Sequence, residues 1–186
     1  MGFLDALLGR QKIKGPNLDA LFALPSAALT LQTAADLVPA GTASLCYRDP
    51  EGAPFDRIEA DVAAMLQSSR PALSRDAHGY TWITLHDTGD DLGGLVTDLH
   101  AVTTSLQDQG FGPNLLCDLV PFRTPDGRPV ALVYLTKRGT FYPFAPNGPQ
   151  SRDNALELQV RAVLGTDLPV EPDVTRWFAL WDAPGL

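Results

Sequence analysis

The chain has 186 residues, 45% of them hydrophobic and 19% charged; that is enough for one well-buried core and too apolar for a disordered chain. Its formal net charge of −8 repels phosphate backbones, which excludes nucleic acid as an expected partner and disfavours anionic lipid except where positive charge clusters. Two cysteines make no disulfide framework for a domain this size, and Cys46 and Cys117 each lie in an apolar run, where free thiols behave as small buried hydrophobes.

No apolar run approaches the ~20 residues of a spanning helix. The N-terminus lacks a basic region followed by an apolar stretch, so no signal peptide is expected and the chain is read as cytoplasmic. Residues 2–9 place Phe3, Leu4, Leu7 and Leu8 on one helical face, and Gly9 stops that helix. A basic linker with Arg10, Lys12 and Lys14 follows. Residues 1–14 therefore read as an N-terminal amphipathic segment and linker, and residues 15–186 as a single domain.

Asn17 is a plausible cap for a short helix carrying Leu18, Leu21 and Phe22, with Pro25 ending it. Residues 27–33 alternate and read as a strand, although a helix fits too. Residues 41–48 give a clearer strand, and residues 49–52 form a turn cluster. Pro54 opens a helix with Phe55, Ile58, Val62, Met65 and Leu66 on one face. Residues 72–87 read as a hairpin of aromatic and β-branched residues turning at His78-Gly79, with His78 tolerating positive φ.

The spacing of Leu92, Leu95, Val96, Leu99, Val102 and Leu106 predicts a helix over 91–109, capped by Asp90 and ended by Gly110. Residues 115–123 and 130–137 form the best hairpin, joined by a Pro-Asp-Gly turn, and residues 140–144 add a third strand. Ser151 caps a helix with Leu156, Val160, Val163 and Leu164 inward. Asp173 opens a short C-terminal helix whose Val174, Trp177, Phe178 and Trp181 form an apolar stripe. Hairpins adjacent in sequence, with helices between hairpins, indicate an α+β domain: an antiparallel sheet with helices on one face or end.

Chemistry-bearing constellations are sparse. His78, His86 and His100 show no metal-ligand spacing. Neither a G-x-S-x-G elbow nor a phosphate-binding glycine loop is present, since Gly110-Phe111-Gly112-Pro113 follows a helix and reads as its end. Asp87, Asp90 and Asp91 precede the best helix, where carboxylates suit the helix dipole. One reading is a small hydrolase-like enzyme using His86, His100 and these three aspartates. A second is a homodimer burying Trp177 and Trp181 across a symmetric contact. A third is a binding protein. Its contacts would be the N-terminal helix, the stretch from Lys137 to Phe144, where Lys137 and Arg138 adjoin Tyr142 and Phe144, and the stripe with Trp177 and Trp181.

Five segments carry a family resemblance: MGFLDALLGR at the start, DLGGLVTDLH at 91–100, GFGPNLLC at 110–117, YLTKRGTFYPFAP at 134–146 and RDNALELQV at 152–160. Together they resemble the PspA-associated protein PspAB family of actinobacteria and archaea along nearly the whole chain. The resemblance implies a gene neighbourhood with the membrane-remodelling protein PspA, and often with the membrane protease HtpX. It implies a role in envelope stress and brings no catalytic residue and no cofactor. The expectation is a non-enzymatic accessory protein that binds PspA, HtpX or another envelope component. It would touch the inner membrane face weakly through residues 2–14.

Overall fold

The computed structural model describes residues 18–49, 60–62, 64, 66, 71–87 and 90–186. Seven strands make one antiparallel sheet: β1 (Val38–Pro39), β2 (Thr42–Arg48), β3 (Ala72–Arg75), β4 (Tyr80–His86), β5 (Leu115–Arg123), β6 (Pro129–Leu135) and β7 (Thr140–Phe144). The strand order is β3-β4-β2-β5-β6-β7, with β1 beside β5. β3–β4, β5–β6 and β6–β7 are hairpins, and β2 is inserted between two of them. Pro143 lies in β7, the edge strand, where the missing N–H costs no ladder bond on the open side.

Helices α1 (Leu24–Ala35), α2 (Leu92–Leu106) and α3 (Asn154–Leu164) cover one face of this sheet. Their buried leucines and valines meet Leu45, Tyr47, Ile83, Leu85, Val120, Phe122 and Leu132 from the strands. The α+β architecture expected from the element order is therefore the one observed.

Several local expectations are corrected. Residues 27–33 belong to α1, not to a strand. Leu24, Ala27, Ala28 and Leu31 are all buried and recur at helical spacing, which outweighs the short alternation. Pro25 opens this helix and does not end one, because its missing N–H would be unsatisfied in the first turn anyway. Together with the 3₁₀ turn Leu18–Ala23, α1 forms a run long and apolar enough to cross a membrane by length and composition, which the sequence reading had not counted. Leu21, Leu24, Ala27 and Leu31 of that run are fully buried, which makes it the core helix of this fold.

Caps are shifted as well. Asp91 accepts the Gly94 N–H and caps α2, while Asp90 stands outside the helix at φ +55°. Asp153, not Ser151, caps α3 by accepting the Leu156 N–H. Gly79 supplies the positive φ of the β3–β4 turn and His78 does not; Gly110 ends the α2 region at φ +93° as expected. The expected C-terminal helix is a single 3₁₀ turn, Val174–Arg176, and the chain beyond it is irregular. Of the helix expected after Pro54, Val62 and Leu66 are buried in the core; Phe55, Ile58 and Met65 lie outside the described residues, as do Phe3, Leu4, Leu7 and Leu8.

One carboxylate is placed against this logic. Asp118 of β5 points into the helix-covered core, where the Thr103 hydroxyl of α2 lies 3.3 Å from Oδ1 and Oδ2 has no hydrogen-bond partner. Burial pushes its carboxyl up to about 7, and the Thr103 hydrogen bond only partly offsets this. A folded-state pKa above the unfolded value means the folded chain holds the proton more tightly. The contribution is present in full below about pH 4 and is lost as pH rises through about 7. Asp118→Asn should flatten this dependence, leaving the variant more stable than the parent at pH 8 by up to about 4 kcal/mol. Urea midpoints of both proteins from pH 4 to 8 measure it; parallel curves would show that Asp118 is not the group responsible.

Candidate functional site

The face of the sheet away from the helices is apolar too. Cys46, Trp82, Cys117, Leu119, Ala131, Val133, Leu135, Tyr142 and Phe144 project from it and are buried. An antiparallel sheet with one solvated face would alternate apolar with polar residues. Here both sides of β4, β5 and β6 are apolar, and the cover for the second side is the irregular strap Trp177–Leu186. An irregular strap is stable there only if its backbone groups find hydrogen-bond partners.

Side chains supply those partners. The Tyr142 hydroxyl donates to the Phe178 carbonyl at 3.0 Å, and Arg123 donates to the Gly185 carbonyl at 3.0 Å. Trp177 Nε1 donates to the Glu171 carbonyl at 3.0 Å. Arg152 occupies the centre of the attachment: it pairs with buried Glu157 of α3 at 2.9 Å, covers the Phe144 ring at 5.1 Å and donates to the Trp177 carbonyl. Glu157 also accepts the Ala145 N–H at 2.9 Å, so the pair joins β7, α3 and the strap. Glu171, fully buried, accepts from Arg138 at 2.6 Å and from Thr140 at 2.9 Å. Burial alone would raise its carboxyl, but these hydrogen bonds hold it below the usual range.

The strap does not close against the sheet everywhere. Between them lies a pocket of about 420 Å³. Its floor is Cys46, Cys117, Trp82, Leu135 and Tyr142; its wall is Phe178 to Trp181; its rim is Asp76, His78 and Tyr80 of the β3–β4 hairpin. Asp76 organises that rim, accepting the His78 and Tyr80 backbone N–H groups and Trp82 Nε1 at 2.9–3.0 Å. Those bonds outweigh burial and keep its carboxyl below the usual range. Cys46 and Cys117 are directly opposed on β2 and β5, next to a bulge in which Leu116 has no partner on β2. The neighbouring Cys46 thiol and burial push the Cys117 thiol well above its ordinary value.

A second concavity, of about 500 Å³, lies on the opposite side between α1, β1 and the start of α2. Leu29 and Val38 reach it while 65% and 43% exposed, and Asp87 and Asp90 stand on its border.

The structure separates the residues of the hydrolase reading. His86 is exposed at the end of β4, and Asp87 donates its backbone N–H to Gly41. His100 lies nine residues beyond Asp91 on α2, about 13 Å along the axis, with its ring against Phe22 and 3.6 Å from Asp19. Among the described residues no three His, Cys, Asp or Glu side chains gather in a group able to hold a metal ion. The contact roles expected for Tyr142, Phe144 and Trp177 are also corrected. All three are buried in the second core, because β7 pairs with β6 and its inward face needs aromatic volume. Half-buried Trp181 packs edge-on against Phe144. Lys137 and Arg138 are exposed at the β6–β7 turn, and Phe178 is 59% exposed.

The sequence profile of the family described as PspA associated protein B matches residues 1–185. The chain belongs to that family. No curated protein and no solved structure matches the chain. The match spans both the sheet and nearly all of the strap.

The Arg152–Glu157 pair gives a test of the attachment. Arg152→Leu should destabilise the protein by on the order of 3 kcal/mol, because it leaves Glu157 buried without its cation. Arg152→Leu with Glu157→Leu should recover most of that loss. Denaturant midpoints of the two variants decide it; equal losses in both would show that the pair does not act as a unit.

Proposed function

We propose that this chain is a non-enzymatic accessory protein that binds PspA within an envelope-stress response. The observation that carries the reading is family membership over residues 1–185, in a family described by its association with PspA. The dispersal of His86, His100 and the aspartates gives no competing reason to place chemistry here. The concavity lined by Leu29 and Val38 suits a macromolecular contact. It presents two large apolar side chains to solvent with Asp87 and Asp90 beside them, so its complement is an amphipathic segment of PspA bearing Lys or Arg. Residues 2–14, with Phe3, Leu4, Leu7 and Leu8 ahead of Arg10, Lys12 and Lys14, add a weak contact with the inner membrane face. HtpX is the alternative partner that the resemblance offers.

Purified full-length protein mixed with PspA from the same genome should form a complex measurable by analytical ultracentrifugation. Leu29→Asp should weaken it at least tenfold, and Lys137→Glu should not. Loss with Lys137→Glu alone would move the contact to the β6–β7 turn, and failure to bind PspA at all would contradict the proposal.

A further inference from the structure

Two cysteines of the second apolar face lie side by side at the floor of the strap pocket. Cys46 and Cys117 are register partners on adjacent antiparallel strands. Residues so opposed have Cα atoms about 4.5–5.5 Å apart, inside the roughly 4.4–6.8 Å that a disulfide spans. Both side chains project from the same face, and both are free thiols. Both also line the strap pocket, so a small reagent reaches them without unfolding the sheet.

We propose that Cys46 and Cys117 form a thiol-modification site, at which an organic hydroperoxide entering the strap pocket converts the pair into an intramolecular disulfide. The inference is independent of the identity of any protein partner.

The charge and polarity of the pocket select this chemistry. Among the described residues no lysine or arginine lines it, and Asp76 stands on the rim. A metal dithiolate would leave negative charge in an apolar cavity with nothing to offset it. A disulfide is neutral and loses two hydrogens from an already filled space. The aromatic lining of Trp82, Tyr142, Phe178 and Trp181 favours an apolar peroxide over hydrogen peroxide.

The step balances with that oxidant alone. Cys46 gives up its proton and attacks the peroxide O–O bond. An S–O bond forms, the O–O bond breaks, and the leaving alkoxide takes a proton to become an alcohol. The Cys117 sulfur then attacks the Cys46 sulfenic acid; the S–S bond forms, and the departing hydroxide takes the Cys117 proton as water. Two thiols and one hydroperoxide give one disulfide, one alcohol and one water, with two electrons passing from sulfur to peroxide.

Full-length reduced protein is treated separately with cumene hydroperoxide and with hydrogen peroxide at equal concentration, then denatured and alkylated. Intact mass and peptide mapping read the product. The expected result is a monomer lighter by two hydrogens, with the Cys46 and Cys117 peptides linked, formed several-fold faster with cumene hydroperoxide. The oxidised form should also show a higher urea midpoint, since the bond closes a long loop. Two alkylatable thiols after treatment, an intermolecular disulfide, or oxidation ending at sulfinic acid would overturn the site. A rate no faster with cumene hydroperoxide would overturn the apolar pocket as the route. Cys46→Ser should abolish the linked product; if that variant does not fold, the wild-type readouts decide alone.

Discussion

A sheet with two apolar faces has to be covered twice, and among the described residues helices cover only one of them. α1, α2 and α3 close the first face, and the second depends on the strap Trp177–Leu186. Apolar area is what drives the strap onto the sheet, at roughly 25 cal/mol per Å² removed from water. Burial alone has no direction, however. Direction comes from Arg152, which holds Glu157, the Phe144 ring and the Trp177 carbonyl at once, and from Tyr142 and Arg123 further along. A buried ion pair adds little net stability against an apolar substitute, but it penalises every arrangement that separates its members. The pair thereby specifies where the strap begins.

The pocket follows from the same constraint. An irregular strap cannot interdigitate with a pleated face as a second sheet would. Beside the bulge at Leu116, where the strand pairing is already interrupted, the fit leaves a cavity over the two thiols. The rim is fixed independently by Asp76, whose carboxylate joins the hairpin backbone to the Trp82 indole. The concavity bordered by Leu29 and Val38 and the thiol pocket thus lie on opposite sides of the sheet, one built by helices and the other by the strap.

Much of the fold was legible because period and turn chemistry are local. The spacing of Leu92 to Leu106 and the turn at 124–128 identify α2 and the β5–β6 hairpin without reference to anything distant. Where the reading failed, a distant contact decided. Residues 27–33 alternate like a strand, but Leu24 and Leu31 complete a helical face that only the rest of the core can reward. The stripe of Trp177, Phe178 and Trp181 has helical spacing, yet the uncovered sheet face draws it out as irregular chain. The candidate site was less legible still. Each cysteine lies in an apolar run, and nothing local says that β2 inserts beside β5 and sets Cys46 opposite Cys117. Arg152 and Glu157 are five residues apart, and nothing local marks them as a buried pair, because the Trp177 carbonyl that Arg152 holds arrives from near the end of the chain.

The central claim, that the strap seals the second face, has a reporter already in the chain. All three tryptophans, Trp82, Trp177 and Trp181, belong to that face. Tryptophan emission from the native full-length protein, titrated with acrylamide, tests the claim directly. Blue-shifted emission with most of the signal shielded from quencher until the chain unfolds is the predicted result. Water-like emission, fully quenched while the circular dichroism remains native, would show the face open and contradict the account.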